Sequence, residues 1–329
     1  MKRREFAVAL ALVGAFWRKT EAQQVGTVRR IGFLGVRSRS TAANPDVYYD
    51  AFEDGLRQLG YIEGKNILID RRFADGNYDR LPGLAAELVS LGPEVIVTHA
   101  TPAVLALRHA TAKIPVVFAA VTDPAGIGLV PSLARPGGNI TGLSNISSDV
   151  NSKQLELLRT VLPKLSRIAA LNNPGTANSA AMLGVVRATG GRIGISVVSI
   201  EARTVEDLER GFAVGMRERV QAVLVLADTF FIFQQARIAE LALKHRLPSM
   251  FPFREAVEAG GLMSYGPNLP AIYRRAATYV DKILKGAKPG ELPVEQPTQL
   301  ELVINAKTAK SLSLKLSQFV LQRADQVIE

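Results

Sequence analysis

Eight polar or aromatic side chains stand where an apolar, strand-like run gives way to polar sequence, and their types suit recognition rather than bond breaking. Ser38 follows Ile31–Val36, Thr98 and Thr101 follow the run from Val95, and Thr122 and Asp123 follow Val116–Ala119. In the second half Asn173 follows Ile168–Leu171, Asp228 follows Ala222–Ala227, and Tyr265 closes Gly261–Tyr265. A carboxylate that ends an apolar strand is costly unless it is paired or faces a polar cleft, so Asp228 is the natural partner for a ligand ammonium. Thr101 precedes Pro102 at the start of a helical pattern, where free N–H groups suit an anion such as a carboxylate. Tyr265 offers a ring for stacking. The set fits a small polar zwitterion, and its hydroxyls and amides would also fit a sugar or a nucleoside. Plainer roles exist for each: Thr98 and Thr101 as helix caps, Asp123-Pro124 and Asn173-Pro174-Gly175 as turns, Tyr265 as packing. Phe251 and Phe253 read as core.

Catalytic signatures are thin. There is no cysteine, and the histidines are only His99, His109 and His245, so a metal centre of His/Cys type is not expected. Neither a Gly-x-Ser-x-Gly elbow nor a Walker loop occurs, and Gly126-Ile127-Gly128 lacks a third glycine. His99, at a strand end, reads as a polar cleft wall. No cofactor is implied, and the chain reads as a binding protein rather than an enzyme.

The elements that must position these residues alternate. Apolar runs at Ile31–Val36, Ile67–Asp70, Val95–Thr98 and Val116–Ala119 read as strands, separated by helical patterns such as Tyr49, Phe52, Leu56 and Leu59. The rhythm repeats with strands at Ile168–Leu171, Val197–Ile200, Val223–Leu226 and Ser249–Phe251, and Thr204-x-x-Asp207 signals a helix start. Alternation of this kind predicts an α/β protein with two doubly wound, parallel-sheet lobes. In such sheets ligands bind outside the carboxyl ends of the strands, which is why the strand-end residues matter. The Asn139–Ser144 stretch reads as the first passage between lobes, with Gly261–Tyr265 and Leu292–Leu302 as two more. The helix Ile272–Leu284 lies between these last two and ends at Gly286.

At the N-terminus Lys2, Arg3 and Arg4 precede an apolar stretch, Phe6–Trp17, and then polar sequence. That order describes an export signal over residues 1–22, too short to span a membrane. Arg3-Arg4 also fits twin-arginine export. The net charge is +10, of which the signal carries +3 and the remainder +7. Its basic residues are scattered rather than set in an aromatic-interleaved block, so a nucleic-acid partner has no support. Without disulfides, about 300 residues must be held by their cores, which favours two domains.

Long strings carry a resemblance. "DPAGIGLVPSLARPGGNITGLS" (123–144), "KQLELLRTVLPKLSRIAALNNP" (153–174), "GGLMSYGPN" (260–268), "YVDKILKGAKPGELPVEQPT" (279–298) and "ELVINAKTAK" (301–310) resemble a family of bacterial ABC-transporter substrate-binding proteins. Its TrpX-like members take up aromatic amino acids. The resemblance implies a type I periplasmic binding-protein fold with three crossover segments joining the lobes. It implies an N-terminal lobe of residues 28–143 plus 265–293, and a C-terminal lobe of 144–264 plus 294–329. It also implies a periplasmic monomer that captures a small-molecule ligand, best an amino acid, and hands it to an ABC permease with a separate ATPase subunit. The chain would then meet the membrane only through the permease. Ser311–Gln318 departs from the family's Leu-Gly-Leu-x-x-Pro turn. Rival readings are a ligand-sensing regulatory protein, which lacks room for a DNA-binding module ahead of Arg29, and an exported α/β hydrolase.

Overall fold

The computed structural model describes residues 28–41, 45–145 and 148–329. The proposed export signal lies outside the described residues. Two sheets organise the chain. The first contains β1 (Arg29–Gly35), β2 (Ile67–Phe73), β3 (Val95–His99), β4 (Val116–Val121) and β5 (Ile140–Ser144), all parallel, in the order β2-β1-β3-β4-β5. The second contains β6 (Arg167–Asn172), β7 (Ser196–Glu201), β8 (Val223–Val225) and β9 (Ser249–Phe251). It continues with β10 (Met263–Gly266), β11 (Glu301–Asn305) and β12 (Gln326–Ile328), in the order β12-β11-β10-β9-β8-β6-β7. Only β10 and β11 pair antiparallel among the described strands.

Helices cover the sheets. The first lobe carries α1 (Val47–Gln58), α2 (Leu81–Ser90) and α3 (Thr101–Ala110). The second carries α4 (Ser148–Val161), α5 (Ser179–Ile193), α6 (Val205–Arg217), α7 (Thr229–Phe233), α8 (Gln235–Lys244) and α9 (Arg254–Glu258). After β10 the chain crosses back, and α10 (Leu269–Leu284) packs on α1 of the first lobe. The helices α11 (Ala306–Ser311) and α12 (Gln318–Arg323) close the second lobe. Local chemistry explains the starts. Asp46 accepts from the N–H groups of Tyr48 and Tyr49 to cap α1, and Thr204 and Asp207 form a full capping box on α6. Gly55 lets α1 and α10 approach, since a Cβ there would lie 2.5 Å from the Arg274 carbonyl oxygen.

Four details differ from the sequence reading. The Asn139–Ser144 stretch is largely a strand, β5, so the first passage between lobes begins at Asn145. Gly261–Tyr265 belongs to the second sheet through β10, and the crossing follows Gly266. Glu295 still bridges to Leu143 of the first sheet, so the last crossing follows it. Leu59, read as part of the buried face of α1, is 39% exposed just beyond the helix end. In the departing turn, Ser313 takes φ 57°, a left-handed conformation that glycine enters without a Cβ penalty. No helix among the described residues is long and apolar enough to cross a membrane.

The strand orders locate the ligand crevice. In the first sheet β1 lies between β2 and β3, so consecutive connections leave it on opposite sides and a crevice opens at the carboxyl ends of β1 and β3. In the second sheet β6 lies between β7 and β8, which puts the equivalent crevice at the ends of β6 and β8.

Candidate functional site

A cleft of about 790 Å³ joins the two crevices. Its first-lobe wall is Arg37 beyond β1, His99, Ala100 and Thr101 at the junction of β3 and α3, Ala120 and Thr122 around the end of β4, and Asn145. Tyr48 from α1 and Tyr273 from α10 stack on each other at 5.4 Å and close the back of that wall. Opposite stand Asn173, Thr176 and Asn178 after β6, and Asp228, Phe230 and Phe233 after β8.

The polar groups are held in defined states. Asp228 Oδ1 accepts from the Phe230 N–H (2.9 Å), the Phe231 N–H (3.3 Å) and Asn173 Nδ2 (3.2 Å), so it caps α7. Its Oδ2 accepts from the Thr176 hydroxyl and keeps capacity for one further donor. Across the cleft, Ala100 is the N-cap of α3 and supplies no side-chain cap; Pro102 has no N–H, so the N–H groups of Thr101 and Ala103 are the donors without a partner among the described residues. Ala100 sits at φ 64°, ψ 143° and Ala120 at φ 57°. Such conformations cost an L-residue roughly 1–3 kcal/mol and gather at ligand clamps. Burial first, and then the Arg37 charge, push the His99 imidazole down to about 3, so it is neutral. Its Nε2 accepts from the Val36 N–H at 3.2 Å. His99 is thus a fixed wall and no proton donor at Nε2. Thr122 donates to Asn145 Oδ1 at 2.8 Å, and buried Asn178 Nδ2 has no partner among the described residues.

Of the strand-end residues singled out by sequence, Thr101, Thr122, Asn173 and Asp228 line this cleft. Ser38 lines a smaller neighbouring pocket with Asp46 and Asp75. Thr98 does not line it: β3 runs one residue further than the apolar run suggested. Thr98 is therefore fully buried, with its hydroxyl donating to the Leu34 carbonyl at 2.8 Å. Asp123 is not brought to the cleft either, since its carboxylate accepts from the Gly126 N–H in a turn. Tyr265 packs against the second-lobe core, and its carbonyl accepts from Gln154 Nε2. Phe251 and Phe253 are core, each 2% exposed. Arg37, Tyr48, Tyr78, Phe233 and Tyr273 were not foreseen. The strand-end rule points to Arg37, which lies two residues past β1, whereas the tyrosines sit in patterns that read as packing.

Two open α/β lobes around a ligand-sized cleft at paired strand-order reversals form the type I periplasmic binding-protein fold. The sequence profile of the family described as ABC transporter substrate binding protein matches residues 43–328, and the chain belongs to that family. It is therefore an extracytoplasmic substrate-binding protein serving an ABC transporter, in a family of binding proteins and not of enzymes. A curated relative, the tyrosine-binding protein of Clostridioides difficile strain R20291, is 27% identical over 264 residues, covering 80% of this chain and 76% of its own. A solved structure of an ABC domain in complex with L-Trp from Streptococcus pneumonia is 29% identical with a TM-score of 0.84, covering 92% of this chain and 100% of its own. A conserved domain protein from Vibrio cholerae O1 biovar El Tor is 31% identical with a TM-score of 0.85, covering 92% and 100%.

Proposed function

We propose that this protein captures an aromatic α-amino acid between its lobes and delivers it to the permease of an ABC importer powered by a separate ATPase subunit. The observation that carries the reading is the opposition, across one aromatic-lined cleft, of Asp228 and the uncapped N-terminus of α3. Asp228 Oδ2 receives the ligand ammonium. Thr101 and the first N–H groups of α3 receive the carboxylate. Tyr48, Tyr78, Tyr273, Phe230 and Phe233 supply ring faces for the side chain. The cleft volume of about 790 Å³ falls inside the roughly 300–1,000 Å³ usual for small-molecule sites. Relatives named for tyrosine binding and solved with L-Trp support the aromatic class.

The protein acts as a monomer in the periplasm, exported by cleavage of residues 1–22, with the twin arginines as the route. A thermal-shift screen of the twenty amino acids, nucleosides and sugars tests the ligand class, because a ligand that binds only the folded state raises its stability by mass action. L-tyrosine or L-tryptophan should give the largest rise. A rise with sugars or nucleosides and none with amino acids overturns the reading. Mass spectrometry of protein from the periplasm should find an N-terminus near Gln23, and an intact Met1 there would contradict export by cleavage.

A further inference from the structure

Arg37 is a charged cleft residue whose chemistry the reading above leaves unused. Its side chain leaves β1 and reaches the mouth of the cleft, where Nε lies 3.4 Å from Asp46 Oδ2. Asp46 is itself fixed, because its Oδ1 caps α1 through Tyr48 and Tyr49. The guanidinium carbon stands 5.3 Å from the Tyr48 ring centroid and 5.2 Å from that of Phe233, so the plane is held between an aromatic of each lobe. Among the described residues the guanidinium makes the ion pair with Asp46 and no hydrogen bond, which leaves its Nη donors open to a ligand. Arg37 lines the same cleft as His99, Ala100 and Thr101 at the start of α3. A positively charged fork and the positive end of a helix thus face the same cleft from the first lobe.

We propose that Arg37 is a specificity-determining residue that binds the ligand carboxylate through its Nη donors, acting with the N-terminus of α3. The Tyr48 ring and the Asp46 anchor, both of the first lobe, hold the fork before the ligand arrives, so less side-chain entropy is lost on binding. The inference rests on the amino-acid reading, and its test separates the two.

The test compares L-tyrosine with L-tyrosinamide, in which a neutral amide replaces the carboxylate, by calorimetric titration of the parent, Arg37→Lys and Arg37→Met. Loss of charge-assisted bonds should weaken L-tyrosine about ten- to hundredfold in Arg37→Met. L-tyrosinamide should not be weakened, so the preference for the acid over the amide collapses by at least the same factor. Arg37→Lys should restore part of it, since charge returns without the fork. An unchanged preference, or an equal loss for both compounds, shows that Arg37 acts only through folding or lobe packing and overturns the assignment. If the parent binds no amino acid at all, the amino-acid reading itself fails, and this role for Arg37 fails with it.

Discussion

Replacing Asp228 with asparagine separates the two tasks of this side chain. Three of its four described hydrogen bonds converge on Oδ1, two of them from the first N–H groups of α7. An asparagine keeps a carbonyl oxygen at that position, and asparagine and aspartate are nearly equivalent as N-caps. On the other side its amide meets Thr176, whose hydroxyl can turn and accept instead of donate. Folding stability should therefore change by less than about 1 kcal/mol. Binding should change far more. Removing one partner of a desolvated charge pair costs about 2–5 kcal/mol, or about 30- to 3,000-fold in affinity at 1.4 kcal/mol per decade. Calorimetric titration with L-tyrosine measures the loss, and 3-(4-hydroxyphenyl)propionate, which lacks the ammonium, should bind the variant at least as well as the parent, because no unpaired carboxylate is then left facing it. If Asp228→Asn binds L-tyrosine within twofold of the parent, Asp228 is only the cap of α7 and the proposed ammonium site is wrong.

Thr101→Val should weaken L-tyrosine by about tenfold, the low end for one hydrogen bond to a charged acceptor, because the backbone N–H groups of α3 remain; a loss larger than that of Asp228→Asn would reverse the proposed order. The Glu255 carboxyl is lifted from 4.5 to about 7, chiefly by burial, and neither of its oxygens has a partner among the described residues. A carboxyl raised in the folded state binds its proton more tightly there. Its stabilising contribution is thus complete below about 4.5 and is lost as pH climbs to about 7, a swing on the order of 3 kcal/mol. Glu255→Gln should remove that slope and stabilise the protein at pH 8, so equal urea midpoint differences from the parent at pH 5 and pH 8 would contradict it. Gly55→Ala, with its Cβ 2.5 Å from the Arg274 carbonyl oxygen, should cost about 1–3 kcal/mol by forcing α1 from α10; an unchanged urea midpoint would show that the helices separate freely.

The alternation of strands and helices was legible because buried parallel strands are short apolar runs and their connecting helices carry period-3.6 faces. β5 was not, because its sequence Ile-Thr-Gly-Leu-Ser looks broken at Gly142. In the structure that glycine is a close approach: a Cβ would lie 2.0 Å from the Phe118 carbonyl oxygen, so Gly142 permits β5 to join β4 rather than ending it. The antiparallel direction of β11 leaves no mark on its composition. The direction follows from the passage through α10 on the other lobe, which returns the chain to the second sheet from the far side.

At the site, the error at Thr98 was one of phase. Successive side chains of a strand point to opposite faces, so extending β3 by one residue to His99 shifts the first cleft position to His99 and Ala100. The aromatic wall was hidden for another reason: Tyr48 and Tyr273 lie 225 positions apart and meet only because α10 crosses back onto α1. What those contacts build explains the selectivity proposed here. The first-lobe reversal of strand order carries Arg37 and the start of α3, both positive, while the second-lobe reversal carries Asp228. Closing the lobes removes water from both poles, and a buried charge without a partner is costly. A simple amine would satisfy only the second lobe and a simple acid only the first, leaving the opposite pole desolvated and unpaired. A zwitterion satisfies both. On the proposed reading the closed state is therefore stable only around a ligand with both charges, and the aromatic back wall then selects among amino acids by side chain.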